Sequence, residues 1–118
     1  MSGSTSYHAG RVAEDLVAQD YTRRNHAIAA RRWRGKSGEI DLIAREGDTV
    51  VFIEVKKSRG FAAAAARLGR RQMDRICASA SEFLSGEPKG QLTDVRFDLA
   101  VVNGVGALEV IENAFMEA

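Results

Sequence analysis

Two apolar runs joined by a glycine-containing break dominate this chain: Glu39-Ile-Asp-Leu-Ile-Ala-Arg45, then Thr49-Val-Val-Phe-Ile-Glu-Val-Lys-Lys57. Branched and aromatic side chains fill both, and Glu46-Gly47-Asp48 between them is a hairpin signal. Ile40, Leu42, Ile43, Val51, Phe52, Ile53 and Val55 place apolar groups on both faces of the pair. Strands of that kind are covered on both sides. The pattern therefore predicts a central hairpin in a layered α/β domain.

The flanking segments supply the covering layers. Ala9, Val12, Ala13, Leu16, Val17 and Tyr21 recur at three- and four-residue intervals, which predicts a helix from about Tyr7 to Arg24. At about 100° per residue, Glu14 falls beside that stripe, in line with Gly10, Val17 and Tyr21, while Asp15 faces away. His26–Arg34 reads as a short strand carrying Ile28 and Trp33, and Gly35–Gly38 as a loop. Ala62–Ala66 is helix-prone. Arg70–Leu84 is a clearer helix, with Met73, Ile76, Cys77, Ala80, Phe83 and Leu84 on one side. Val95–Val102 and Leu108–Ile111 read as strands around an Asn103-Gly104 turn. The order α-β-β-β-α-β-β predicts a mixed sheet flanked by helices.

A length of 118 residues suits one domain over 1–118, with residues 1–6 as a flexible tail. The 45% hydrophobic share excludes a disordered chain. No apolar run approaches the ~20 residues of a membrane span, and the N-terminus carries no secretory block. One cysteine, Cys77, excludes an internal disulfide framework and a cysteine-type zinc site, and it fits a reducing cytoplasm. Its place on the apolar stripe predicts an inert thiol.

The net charge of +1 conceals an asymmetry. Arg23 to Arg75 holds 14 Lys/Arg and 6 Asp/Glu, a balance of +8; the rest of the chain holds 3 and 10, a balance of −7. Positive charge concentrated in mid-chain suits a polyanion such as nucleic acid. Charges scattered over a solvated surface would give the same count.

The hairpin carries the candidate chemistry. If Gly47 and Asp48 form the loop, paired residue numbers sum to 95, and Asp41 lies opposite Glu54. Opposed side chains have Cβ atoms ~4.5–5.5 Å apart. Lys56 lies on the same face, ~6.6 Å further along the strand. A three-residue loop would instead turn Asp41 away. Facing carboxylates repel, and a divalent cation relieves that; Mg²⁺ or Mn²⁺ takes one or two carboxylates plus water and phosphate oxygens. The neighbouring ammonium would stabilise developing charge on a phosphate. The same spacing also suits a solvated Glu-x-Lys ion pair, with Asp41 capping a loop.

Gly38-Glu-Ile-Asp-Leu-Ile-Ala44 followed by Val51-Phe-Ile-Glu-Val-Lys56 resembles the YraN-like family of small bacterial proteins. Gly10, Glu14, Trp33, Arg96-Phe-Asp98 and Asn113-Ala-Phe115 match its spacing as well, so the likeness covers about residues 8 to 116. That family looks like a branch of the PD-(D/E)xK, restriction-endonuclease-like superfamily, close in pattern to archaeal Holliday-junction resolvases. The resemblance implies a restriction-endonuclease-like sheet, with Asp41, Glu54 and Lys56 as the active-site core and Glu14 reaching in as a further ligand to Mg²⁺ or Mn²⁺. It departs from the family at Ala13, at Asn25-His26 and at Arg71, where lysine is usual. Arginine keeps the charge there but cannot relay protons.

Arg34, Lys36, Lys57, Arg71 and Gln72 are the candidate contacts to nucleic acid. Arg31 and Arg32 extend the basic cluster, and Trp33 suits the core better than base stacking. Glu39 is read as fixing the Gly35–Gly38 loop, His26 as a half-buried packing residue and Asp98 as a cap or ion-pair partner. The expected function is metal-dependent hydrolysis of DNA phosphodiesters by an endonuclease acting on branched or structured DNA, with a homodimer suited to cutting both strands. The rival expectation is a non-catalytic accessory protein that binds nucleic acid on the same fold.

Overall fold

The computed structural model of the protein describes residues 2–114; Met1 of the expected tail and Phe115 of the expected C-terminal motif lie outside them. A helix, α1 (Ser2–Arg23), precedes three strands, β1 (Ala27–Arg34), β2 (Glu39–Glu46) and β3 (Thr49–Lys57). Two helices follow, α2 (Phe61–Arg67) and α3 (Arg70–Leu84), then a 3-10 turn at Gly90–Leu92 and strands β4 (Val95–Val102) and β5 (Leu108–Ile111). One helix-prone stretch and one clear helix were legible, and both form. They are separated at Leu68-Gly69, and Gly69 caps α3 in an extended conformation.

The strands make a mixed α/β sheet in chain order, β1 to β5. β3 and β4 run parallel, and every other neighbouring pair is antiparallel. A parallel pair needs a long crossover, which α2 and α3 provide. The β2–β3 hairpin turns on two residues, as its register shows: Glu46 pairs with Thr49, and the ladder continues to Leu42 with Ile53. Gly47 takes φ +60°, which a residue without a Cβ adopts freely.

Both faces of the sheet are covered. Ala13, Val17, Ala18 and Tyr21 of α1 pack on Leu42, Ala44, Val51 and Ile53. On the other face, Ala80 and Leu84 of α3 meet Ile40, Ile43, Val50 and Phe52, while Ala64 of α2 meets Leu99 and Val101. Trp33 packs edge-on to Phe83 there, as a core aromatic does.

Two stripe assignments need correction. Val12 is 57% exposed. The buried line of α1 runs through Ala13, Val17 and Tyr21, and Val12 falls roughly opposite that line at about 100° per residue. Cys77 is also exposed, because in its turn of α3 the buried side runs through Ile76, Ser79 and Ala80, and Cys77 lies about 100° from the middle of that side. Ser79 is buried instead and donates its hydroxyl to the Gly38 carbonyl at 3.0 Å.

A polar cluster fastens the far end of α1. The fully buried Asp98 accepts the Tyr21 hydroxyl at 2.6 Å and two guanidinium nitrogens of Arg96 at 3.0 Å. The Asn113 amide completes its set at 3.2 Å. His26 is buried, packs edge-on to Tyr21 and places Nε2 3.1 Å from Arg96 Nη2. Its Nδ1 lies 3.0 Å from the Arg24 carbonyl, which assigns the proton to Nδ1 and leaves Nε2 to accept from Arg96. Asp98 is thus an ion-pair partner and His26 a packing residue, more deeply buried than half.

Candidate functional site

At the open end of the hairpin the two strands part. Backbone pairing stops at Leu42 with Ile53, so Asp41 and Glu54, next in that register, are not held by the ladder. The Asp41 side chain fills the gap: its Oδ2 accepts the Val55 amide at 2.8 Å. That bond anchors one carboxylate oxygen where the β2 backbone has withdrawn. Asp41 thereby lies in the wall of two cavities. One, of about 340 Å³, lies under α1 with Glu14, Val55, Lys56, Lys57 and Arg67. The other, of about 260 Å³, lies under α3 with Glu39, Glu54, Gln72 and Arg75.

Glu54 stands on β3 with only 11% of its side chain exposed. It accepts a hydrogen bond from the Gln72 side-chain amide of α3, and Lys56 Nζ lies 3.3 Å from the same oxygen, Oε2. Gln72, read as a contact to nucleic acid, orients Glu54 through this bond. Asp41 pays electrostatically for this crowding: burial first, then the Glu54 charge, push its carboxyl from 3.8 up to about 8. The Val55 amide works against that rise, while hydrogen bonding to Glu54 and the Glu14 charge add to it.

Glu14 reaches the α1-side cavity, as its position beside Val17 and Tyr21 indicated. Its carboxylate is 14% exposed and accepts Arg32 Nε at 2.9 Å. Arg32 is the β1 residue facing Asp41 between the pairs Arg31 with Leu42 and Trp33 with Ile40, and it takes φ +51°. A left-handed backbone is rare outside glycine and asparagine, and here it accompanies the turn of Arg32 toward α1.

The other expected contacts are dispersed. Arg34 is exposed and lies 3.7 Å from Glu39 at the rim of the α3-side cavity. Lys36 is exposed on its loop, with its backbone amide on Glu82 at 2.9 Å. Lys57 is exposed in the wall of the α1-side cavity, and Arg71 is exposed in the first turn of α3. Arg31 pairs with Asp15 at 2.6 Å. Two wall residues were missed, Arg67 and Arg75. Arg75 was recoverable, because it stands three residues after Gln72 and so shares its helical face. Arg67 had no comparable signal.

The Asp41–Glu54 pair fits a hard divalent cation. It offers two carboxylates from facing strands, and burial together with the neighbouring Glu54 charge raises the proton affinity of Asp41, a cost that a bound cation would relieve. Among the described residues, no three His, Cys, Asp or Glu side chains converge into a ready-made cage. Such an ion would take its remaining ligands from water or phosphate. Among the described residues no helix is long and apolar enough to cross a membrane.

Fold and site together define a mixed α/β protein whose parted central hairpin carries an Asp–Glu–Lys group. The chain belongs to the UPF0102 family, the YraN-like family its motifs resemble: the model described as "Uncharacterised protein family UPF0102" matches residues 13–102. It is 68% identical to a UPF0102 protein of Cereibacter sphaeroides over 115 residues, 98% of both chains. A UPF0102 protein of Ruegeria pomeroyi is 59% identical over 96% of this chain and 92% of its own. A third, from Roseobacter denitrificans, is 47% identical over 98% and 90%.

Proposed function

We propose that this protein is a Mg²⁺- or Mn²⁺-dependent DNA endonuclease of the PD-(D/E)xK type, cutting phosphodiesters in branched or otherwise structured DNA in the cytoplasm. The observation that carries the reading is the convergence of Asp41 and Glu54 from facing strands, with the Lys56 ammonium on Glu54. Asp41 and Glu54 would hold the cation, and Glu14 would orient its water. Bound there, the ion would supply Lewis-acid stabilisation of phosphate charge and a more acidic water. Lys56 neutralises charge growing on the phosphate oxygens. The Val55 amide and Gln72 keep the two carboxylates in place through the reaction. Water adds to phosphorus, one P–O ester bond breaks, and the products are a phosphomonoester end and a hydroxyl end.

The test incubates branched, linear and single-stranded DNA with Mg²⁺ or Mn²⁺. Cleavage by the wild type that is lost in Glu54→Ala and Lys56→Ala supports the enzyme. Salt-sensitive binding without cleavage in any metal, unchanged by those substitutions, overturns it in favour of a non-catalytic accessory protein on this fold. The Arg32–Glu14 pair is what favours that second reading, because it already neutralises the third carboxylate.

A further inference from the structure

Cations in this protein fall into two groups. Those on β1, β2 and the start of β4 are neutralised by acids: Arg31 by Asp15, Arg32 by Glu14, Arg45 by Glu87, and Arg96 by Asp98 and Glu46. Those on the crossover are not. Among the described residues, Lys57, Arg59, Arg67, Arg70, Arg71 and Arg75 have no carboxylate within ion-pair distance. Lys36 on its loop apart, the mid-chain positive charge left without an acid thus lies on one segment, the one that walls the candidate site.

Two of these cations sit where a bound strand would enter and leave. Arg67 lines the α1-side cavity, and its Nη2 donates to the Lys57 carbonyl at 2.8 Å, which steadies the guanidinium at the mouth. Arg75 lines the α3-side cavity beside Glu54 and Gln72. The two cavities meet at Asp41: the first is walled by α1 and by Arg67 at the end of α2, the second by Gln72 and Arg75 of α3. A guanidinium is a planar fork of five donors that matches phosphate oxygens, and neither fork is occupied by an acid.

We infer that Arg67 and Arg75 each grip a backbone phosphate, one on either side of the phosphodiester at Asp41 and Glu54. This rests on the hydrolase reading above and sharpens its substrate. The strand passes from one cavity to the other across Asp41, so the enzyme takes internal stretches of nucleic acid. A mononucleotide or a single terminal phosphate fills only one grip and is a poor substrate.

The test measures binding of a labelled oligodeoxynucleotide in EDTA across a salt series, and cleavage of it in Mn²⁺. Arg67→Ala and Arg75→Ala are each expected to weaken binding about tenfold and to lower the log–log salt slope by about 0.7 for a single strand or 0.9 for a duplex. Arg45→Ala removes the same charge from an ion pair elsewhere and is expected to leave the slope alone. Arg67→Lys keeps the charge and is expected to retain the slope, which separates phosphate contact from loss of the Lys57 bond. In cleavage, a neutral methylphosphonate on one side of the mapped cut is expected to slow the wild type but not Arg67→Ala. On the other side it is expected to slow the wild type but not Arg75→Ala. Normal slopes in both alanine variants, or undiminished sensitivity to both neutral linkages, overturn the inference while leaving hydrolysis standing. A wild type that neither binds nor cuts overturns the hydrolase reading and this inference with it.

Discussion

Asp41 holds a proton that an ordinary aspartate would have lost. Its carboxyl moves from 3.8 to about 8 through burial and the neighbouring Glu54 charge. The folded protein therefore binds one more proton than the unfolded chain between those pH values. Stability contributed this way is fully present below about pH 4 and is lost as pH rises through 8. In EDTA, the urea midpoint of the wild type is expected to fall across that window more steeply than that of Asp41→Asn. Equal slopes in the two proteins would show that Asp41 titrates normally. Asp41 opposite Glu54 was readable from turn length alone, because residue numbers in a two-residue hairpin fix who faces whom. The parting of the strands was not, since it depends on a side chain replacing a backbone acceptor. Nor was the capture of Glu14 by Arg32, which needs an unusual φ at a position that reads as plain strand.

The hairpin is the element on which the register depends. Gly47 at φ +60° is its one left-handed loop residue, and a Cβ there costs roughly 1–2 kcal/mol. Gly47→Val is expected to lower stability by about that amount, with a further penalty for branching, read from the urea midpoint at constant m-value. No change would mean that the turn is not as tight as described. The Asp98 cluster ties α1 to β4, and with it the helix that presents Glu14. Tyr21→Phe removes one buried hydrogen bond and is expected to cost about 1–3 kcal/mol. Asp98→Ala removes the buried acceptor of Tyr21, Arg96 and the Asn113 amide at once and is expected to cost about 3–5 kcal/mol. Similar losses in both would show that Arg96 is satisfied without Asp98. Helix existence was legible from periodicity, but its faces were less so. Val12 and Cys77 fit an apolar repeat by spacing, yet packing chose the lines through Val17 and Ala80. The break between α2 and α3 was half visible in Gly69.

Across the whole molecule, order is set by two helical layers on one sheet, and the candidate centre lies where the β2–β3 ladder parts. A cation bound there stabilises only the folded chain, so Mn²⁺ at 100 times its Kd is expected to add about 2.7 kcal/mol to unfolding. Glu54→Gln is expected to lose most of that gain, and thermal melts with and without Mn²⁺ would show it. The basic mid-chain was visible as a count, but acids from α1 and the loop after α3 decide which cations remain available, and those acids are distant in sequence. The most direct measurement is a crystal structure of the protein grown with Mn²⁺, read by anomalous scattering. The expected result is one cation within coordination distance of both the Asp41 and the Glu54 carboxylates. A manganese bound to neither, or carboxylates that stay paired only with the Val55 amide, Gln72 and Lys56 at saturating Mn²⁺, would contradict it.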